Sequence, residues 1–209
     1  MAIGDAYATA AEYLAVTDRV DASENTIIER DLKAVSRLID SELGRPSGFN
    51  KDATATVRIY DPWSSLGAFS RLYIEDLVEL GGSGGITIDT GRDNTFATTL
   101  VAADYELLPR NAAVGPEVRP YDTIELTSWG SRRVFVPGQR VKVTGIHGWP
   151  AVPSAIVTAT IELTRIVRLE SPRSTTRVNE LQQVISTSRV AQGIIDKLLE
   201  RYRHKLVTL

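Results

Sequence analysis

The feature that most constrains the fold is a series of short β-type segments between residues 55 and 145. They are rich in Val, Ile, Leu, Thr and Tyr, often alternate apolar with polar residues, and are separated by Gly, Pro, Asn and Asp. Strands at this spacing, with no helical pattern between them, are typical of an antiparallel sheet and not of βαβ units. The segments are 55–60, 72–80, 85–90, 104–109, 122–128, 132–137 and 140–145.

A helix is predicted on the amino-terminal side of this region. Four apolar residues recur at intervals of four, three and four, which places them on one stripe of a helix: Ile28, Leu32, Val35 and Ile39. Asp21 or Ser23 would cap its start, and Gly44 is a natural stop at its end. A shorter helix is predicted within residues 5–15, where alanine is frequent.

Two more helices are predicted on the carboxy-terminal side. Pro153 favours the first position of a helix, and apolar residues then recur at intervals of three, four and three: Ile156, Ala159, Leu163 and Ile166. A final amphipathic helix is predicted within residues 190–205. Residues 171–187 are predicted to form a linker that contains an element of uncertain type.

These patterns together predict an α+β fold. The expected architecture is a helical bundle, made of the amino-terminal helices, a helix from about residue 153 and a carboxy-terminal helix, with an antiparallel β-rich insertion. The helical core would comprise residues 1–49 and 150–209, and the insertion residues 50–149, as one structural unit.

Composition limits the class of protein. A chain of 209 residues with 43% apolar residues can bury one sizeable core or two small ones. The net charge of −2 argues against a dedicated nucleic-acid binder. Because cysteine is absent, we expect no disulfide and no thiolate metal site, which fits a reducing cytoplasm. We find no secretory leader and no run of ~20 apolar residues that would span a bilayer, so we expect a soluble protein.

Charge is distributed unevenly along the chain. Residues 1–50 carry five basic and nine acidic side chains, a net of −4, whereas residues 165–209 carry nine basic and four acidic ones, a net of +5. This asymmetry either steers a partner to one terminus and favours head-to-tail packing of identical copies, or belongs to ordinary solvated helix faces.

The glycine-rich run GGSGG, residues 81–85, matches the G-x-S-x-G pattern of serine hydrolases. Asp104 or Asp122 and then His147 follow it in hydrolase order. That pattern requires a turn from a strand into a helix, whereas this run leads into a predicted strand. We therefore interpret the run as a flexible hairpin loop and predict no catalytic residue. It also lacks the lysine of a phosphate-binding loop, so no cofactor is predicted.

The remaining chemical candidates favour structural roles. The chain has two histidines, His147 and His204, and with no cysteine and no compact carboxylate cluster they predict no metal site. His147 is interpreted as an ordinary turn residue. Trp129 and Trp149 could stack on sugars or bases, but large aromatic residues beside glycine and proline are more often core or interface anchors.

Several short motifs occur in a set order. Gly44-Arg45 is followed by Phe49, then by DYELLPRN at residues 104–111, VKVTGIHGWP at residues 141–150, Val152-Pro153 and Ile156. In order and spacing they resemble the head–tail connector, or adaptor, proteins of long-tailed bacteriophages. The resemblance covers roughly residues 20–205 and is concentrated in the two longer segments.

This resemblance implies a structural virion protein and not an enzyme. Members of the family form a ring, commonly of twelve subunits, that docks beneath the portal protein and extends the DNA channel. The ring presents a surface to the next head-completion or tail protein. The resemblance thus implies assembly in the host cytoplasm, a place at the head–tail interface of the virion, passage of DNA without specific binding, and no membrane contact.

The resemblance also implies that the final helix contacts the portal, through Ile194, Ile195, Lys197, Leu198, Leu199, Arg201, Tyr202 and Arg203. A structural joint between the last strand and the following helix is expected at Gly145, Gly148, Trp149, Pro150 and Pro153. There the two glycines would permit a tight reversal, and Pro150 would stop the helix from extending backwards. Two alternatives stay open: a β-rich virion or surface module that binds carbohydrate or protein, and, less favoured, a hydrolase.

Overall fold

The chain divides into two compact units, each with its own buried core. The computed structural model describes residues 5–17, 24–45, 47–62, 69–82, 84–114, 117–170 and 188–202. The helical unit consists of the described parts of residues 1–50 and 152–205, and the sheet unit consists of those of residues 51–151.

The sheet unit contains a curled sheet of seven strands, all paired antiparallel. The strands are β1 (Thr56–Tyr60), β2 (Arg71–Leu80), β3 (Ile86–Ile88), β4 (Thr98–Thr99), β5 (Tyr105–Leu108), β6 (Tyr121–Leu126) and β7 (Val141–His147). Their order is β4-β3-β7-β2-β6-β5, and β1 pairs with β7. The prediction of antiparallel pairing without βαβ units is confirmed for these strands.

Alternation of side chains along β7 shows how the sheet core forms. Val141, Val143, Gly145 and His147 are buried, and the residues between them are half-buried, as the two-residue period of a strand requires. The apolar core combines buried residues of β2, β3, β6 and β7 with two residues outside the strands: Leu72, Ile74, Leu77, Ile86, Ile88, Leu100, Ile124, Leu126, Phe135, Val141 and Val143.

One predicted strand is wrong. Residues 132–137 form no strand, and a single bridge joins Phe135 to Phe69. The Arg132 Nε–H donates to the carbonyl oxygen of Val134, 3.2 Å away, and Gly138 turns the chain with φ 79°. Local bonding of this kind competes with a strand ladder.

Four helices are described in the helical unit: α1 (Ala10–Thr17), α2 (Asn25–Glu42), α3 (Ser154–Glu170) and α4 (Arg189–Tyr202). Helix α2 contacts the other three. Its predicted apolar stripe is confirmed, because Ile28, Leu32, Val35 and Ile39 are all at most 1% exposed. Part of that stripe packs against Tyr13 of α1 and Ile161 of α3.

The sequence predicts the end of α2 better than its start. The stop at Gly44 is confirmed: Gly44 has φ 64°, its N–H donates to Ser41, and the Arg45 N–H donates to Asp40. This bonding pattern is a Schellman motif. At the start, Glu24 occupies the N-cap position and makes no side-chain capping bond, and the predicted caps Asp21 and Ser23 lie outside the residues described.

Helix α3 confirms the helix predicted from its apolar spacing, although β-branched residues are frequent in it. Its buried threonines satisfy their hydroxyl groups within the helix, since Thr160 donates to the Ile156 carbonyl at 2.8 Å and Thr164 to the Thr160 carbonyl at 2.7 Å. The Pro153 carbonyl accepts the N–H of Val157. Pro153 therefore precedes the first helical residue instead of occupying it.

The predicted fold class, a helical bundle with an antiparallel β-rich insertion, is wrong. The principal element is the curled seven-stranded sheet, and the helices are too few and too short to form an amino-terminal bundle. The physical reason is the apolar surface that each part can bury. Helix α1 has only 8 residues and can bury little, whereas the strands contribute a continuous apolar cluster.

The predicted linker at residues 171–187 lies outside the residues described. Among the helices that are described, none is both long and apolar enough to cross a membrane.

Candidate functional site

The glycine-rich run at residues 81–85 interrupts a strand and is not a hairpin. Strands β2 and β3 run in the same direction, because both pair antiparallel with β7, at Gly145 and Val143 respectively. Between these pairs, the Gly81 N–H donates to the Thr144 carbonyl and the Thr144 N–H donates to the Gly85 carbonyl. The run is thus an enlarged bulge opposite Thr144, and the predicted hairpin is wrong.

The carboxylates that follow this run in hydrolase order are engaged elsewhere. Asp104 accepts the N–H groups of Val101 and Ser131, and Asp122 accepts the hydroxyl of Thr123. Ser83 itself is outside the described part of the chain. The run also enters strand β3 and not a helix, so it lacks the local geometry of a nucleophile elbow.

His147 is not the turn residue that the sequence predicted. It is the last residue of β7, is fully buried, and pairs with Leu77 of β2. Neither ring nitrogen has a hydrogen-bond partner among the described residues. Burial, reinforced by the positive charge of Arg58, lowers the pKa of His147 to about 4, so the ring is neutral at pH 7.

The buried His147 should make stability depend on pH. The unfolded imidazole, with its pKa near 6.5, binds a proton that the folded one excludes, so stability falls as pH decreases from about 6.5 towards 4. The slope should approach about 1.4 kcal/mol per pH unit. We expect His147→Leu to remove this slope in urea denaturation followed by tryptophan fluorescence.

Asp40 changes stability with pH in the opposite sense to His147, so the two effects must be separated. Burial raises the pKa of Asp40 to about 6, so its contribution to stability is greatest at low pH and is lost as pH rises through that value. The informative quantity is therefore the difference between the wild-type and His147→Leu profiles. Parallel profiles would show that His147 does not exclude the proton.

Residues of the predicted structural joint have different roles. Gly148 follows β7 with φ 111°, a conformation that glycine adopts readily, and its role in a tight reversal stays a prediction. Gly145 lies within β7, so its predicted turn role is wrong. A Cβ there would stand 2.7 Å from Leu77 Cδ1 and closer still to the backbone oxygen of Glu79, so glycine permits close packing.

The remaining residues of the predicted joint are Trp149, Pro150 and Pro153. Trp149 is 4% exposed, and its indole N–H donates to Asp76 Oδ2 of β2 at 3.0 Å, which fixes the segment to the sheet. Pro150 and Pro153 separate the end of β7 from the start of α3. That Trp149 packs the sheet against the following helix stays a prediction.

The residues of helix α4 that were predicted to contact the portal lie on different faces of the helix. Ile195, Leu198 and Tyr202, together with Ala191, are buried in the helical unit, and Ile194 and Leu199 are half-buried. Lys197 and Arg201 are exposed. Arg203 falls beyond the described part of the helix.

One exposed stripe of α4 combines apolar and basic character. Val190, Ile194, Lys197 and Arg201 follow at intervals of four, three and four, which aligns them along the helix. Val190 is 67% exposed. We call these four residues the α4 stripe. Asp196 and Glu200, also exposed, lie on a different side of the helix.

The uneven charge of the chain is partly neutralised inside the helical unit. Arg168 of α3 forms ion pairs with Glu24 and, at 2.9 Å, with Asp31. Arg165 pairs with Glu162 at 2.8 Å. These arginines line a pocket of about 500 Å³ beside Tyr13 of α1. Since carboxylates compensate their charges, the described residues that line the pocket offer no free cationic group for a ligand.

A buried polar cluster in the helical unit was not foreseen from the sequence. The Tyr7 hydroxyl donates to Asp40, Arg37 pairs with the same carboxylate at 2.9 Å, and the Phe49 N–H donates to the Tyr7 oxygen at 2.9 Å. Burial raises the pKa of Tyr7. These residues come from distant positions in the chain, so no local motif could reveal the cluster, and its bonding indicates a structural role.

Exposure distinguishes the two tryptophans that the sequence treated alike. Trp149 is buried, as expected of a core anchor, whereas Trp129 is 72% exposed in the loop after β6. A large aromatic side chain held in solvent is a candidate binding residue. Its position beside Gly130 was visible in the sequence, but its exposure was not.

The described residues contain no group of three or more His, Asp or Glu side chains placed to bind a metal ion. The candidate sites are therefore surfaces, namely the α4 stripe and the loop that carries Trp129. In comparisons with known proteins, no family model and no curated protein matches the chain.

Proposed function

We propose that this protein is a structural head–tail connector of a tailed virion, which assembles as a ring beneath the portal and presents a surface to the next head-completion or tail protein. The observation that carries the proposal is the ordered set of motifs, above all the segment from β7 to α3. In this segment Gly148 has a positive φ, Trp149 is bonded to β2, and Pro153 precedes α3.

Exposed aliphatic residues on β1 support contact between subunits. Val57 and Ile59 are 56% and 51% exposed, and they lie on the same side of a strand that pairs with β7 alone among the described strands. An edge strand with exposed apolar side chains favours pairing with another chain unless charges protect it. A neighbouring copy in a ring would cover such an edge.

The α4 stripe is the proposed portal contact. The buried residues of α4 hold the helix on its own unit, and the α4 stripe is the side of the helix that we assign to the portal. Basic side chains next to an apolar one favour a partner surface that carries carboxylates. Removing the helix would expose the core of the helical unit, so substitutions test this contact better than deletion does.

Electron microscopy of the protein mixed with DNA-filled heads that carry their portal tests the proposal. We expect the wild type to form a ring at the portal vertex, and we expect the double variant Lys197→Glu with Arg201→Glu to leave the vertex bare, because both charges facing the partner are reversed. The matched control is Asp196→Lys with Glu200→Lys, a reversal of equal size on the other side of α4, which should retain the ring. A vertex that stays bare with wild-type protein contradicts the connector function.

A second candidate, a binding module for carbohydrate or protein, is favoured by a single observation. Trp129 is 72% exposed on the sheet unit. A module of this kind would bind its target without portal or ring, which distinguishes it from a connector.

A further inference from the structure

Trp129 belongs to a group of exposed apolar residues at one end of the sheet. Strand β6 ends at Leu126, opposite Tyr105 at the start of β5, so the loop that holds Trp129 lies beside the segment that precedes β5. In that segment Val101 is 60% exposed. Two exposed apolar side chains thus come from neighbouring loops that are distant in sequence.

The later part of the loop that carries Trp129 is held at the same end of the sheet by the segment just before β2. The Leu126 N–H donates to the Ser70 carbonyl just before β2, and Phe69 forms a bridge with Phe135. Val134, which precedes Phe135, is 39% exposed, and Arg133 beside it is exposed as well. We call Val101, Trp129, Arg133 and Val134 the Trp129 surface.

The loop that carries Trp129 is fixed by Asp104. The Asp104 carboxylate is buried and accepts the N–H groups of Val101 at 2.9 Å and Ser131 at 2.6 Å. These bonds hold its pKa below the usual range, so it remains charged. The Thr127 N–H also donates to the Asp104 carbonyl, and the Thr127 hydroxyl donates to Ala103.

Close packing at Gly130 restricts this loop further. A Cβ at Gly130 would stand 2.8 Å from the Asp104 Cα, so the backbone next to Trp129 lies directly against the neighbouring segment. A side chain held on an ordered loop loses little conformational entropy when it binds. Trp129 is thus presented to solvent in a preorganised position.

The charge of this surface indicates the chemistry of its partner. Arg133 has no carboxylate within 4 Å among the residues described, whereas the nearby Arg71 pairs with Glu125 at 2.8 Å. Asp104, the acidic group beside Trp129, is buried and bonded to backbone. The exposed face therefore presents apolar side chains and an unpaired positive charge.

We propose that the Trp129 surface binds a protein segment in which apolar side chains are flanked by carboxylates. Tryptophan and arginine are the residues that most often dominate protein–protein binding energy. The valines exposed at the same end of the sheet favour an apolar side chain over a sugar, which needs several polar contacts. One exposed cation among the four residues of this surface is too few for nucleic acid. The inference rests on the proposed function, in which such a segment belongs to the next head-completion or tail protein.

Fluorescence anisotropy with the full-length protein tests this inference. The probes are labelled peptides of about twelve residues in which leucine and phenylalanine are flanked by glutamate and aspartate, with lysine-flanked peptides of the same apolar sequence for comparison. We expect only the acidic peptides to bind. Trp129→Ala should weaken their binding at least about tenfold, and Arg133→Ala about threefold.

The matched control is Val114→Ala, since Val114 is also 72% exposed but lies in the loop at the opposite end of β5 and β6. It should bind the acidic peptides as the wild type does. An unchanged far-ultraviolet circular dichroism spectrum would show that each variant is folded.

Four results would overturn the inference: no binding of acidic peptides, equal binding of the lysine-flanked peptides, binding of a labelled oligothymidylate or maltohexaose that Trp129→Ala abolishes, or self-association in sedimentation velocity that Trp129→Ala abolishes. The last three would assign the surface to a different partner. The portal test depends on α4 and not on Trp129, so failure of the connector function and failure of this inference are distinguishable.

Discussion

Replacing Gly145 with alanine should destabilise the sheet unit by about 3 kcal/mol, at the upper end of the range for overpacked cores. The added Cβ would meet Leu77 Cδ1 at 2.7 Å and would come closer still to the Glu79 carbonyl oxygen. The carbonyl cannot move alone, because Glu79 pairs with Ile146 and Leu80 pairs with Gly145 in the same ladder. Relief therefore requires separation of β2 from β7, in the middle of the sheet.

Urea denaturation followed by tryptophan fluorescence measures this effect, because Trp149 is buried and bonded to Asp76 of β2 and changes its environment on unfolding. Gly193→Ala is the matched control. Gly193 lies inside α4 with no atom within 4 Å of its added Cβ, so alanine should stabilise α4 by about 0.5–1 kcal/mol. A Gly145→Ala protein as stable as the wild type would mean that β2 and β7 are not packed as described.

Helices were predicted well where their signals are local. The stripe from Ile28 to Ile39 and the stop at Gly44 depend on spacing and on one positive φ, and both are properties of a few adjacent residues. Helix α3 was predicted for the same reason. The N-cap of α2 was not, because Glu24 is not among the residue types that usually cap a helix.

Features set by pairing between distant residues were predicted poorly. Whether residues 81–85 form a hairpin or a bulge depends on β2 and β3 both pairing with β7, which the sequence of the run does not encode. The same applies to His147: its neighbours in sequence suggest a turn, but the ladder with β2 extends β7 to include it.

The candidate binding surfaces were also predicted poorly, because burial depends on packing between distant residues. The sequence identified α4 as amphipathic, but it did not show that Ile195, Leu198 and Tyr202 are covered by the helical unit itself. Periodicity reveals that a helix has an apolar face, and only packing reveals what covers that face. Likewise, Trp129 and Trp149 have similar neighbours in sequence, and burial alone separates the core anchor from the candidate binding residue.

Phe49 is the position in the helical unit where a single truncation should cost most. Its ring is fully buried between Tyr7 and Tyr202, with both ring centroids 5.7 Å away in edge-to-face contact. Arg45 lies over the same ring, with its Cζ 5.2 Å from the centroid, and its Nε–H donates to the Tyr202 carbonyl at 2.7 Å. Phe49 thus connects the end of α2 to the last residue of α4.

We expect Phe49→Ala to lower the free energy of unfolding of the helical unit by about 3–5 kcal/mol, because it removes buried surface, leaves a cavity and deprives two aromatic rings of their partner. Circular dichroism at 222 nm during urea denaturation measures the loss. Phe49→Leu, which keeps most of the volume but not the ring contacts, should cost less than half as much. If the alanine and leucine variants were equally stable, the ring would not be packed between Tyr7 and Tyr202. The attachment of α4 would then have to depend on Arg45 and on the buried Ile195 and Leu198.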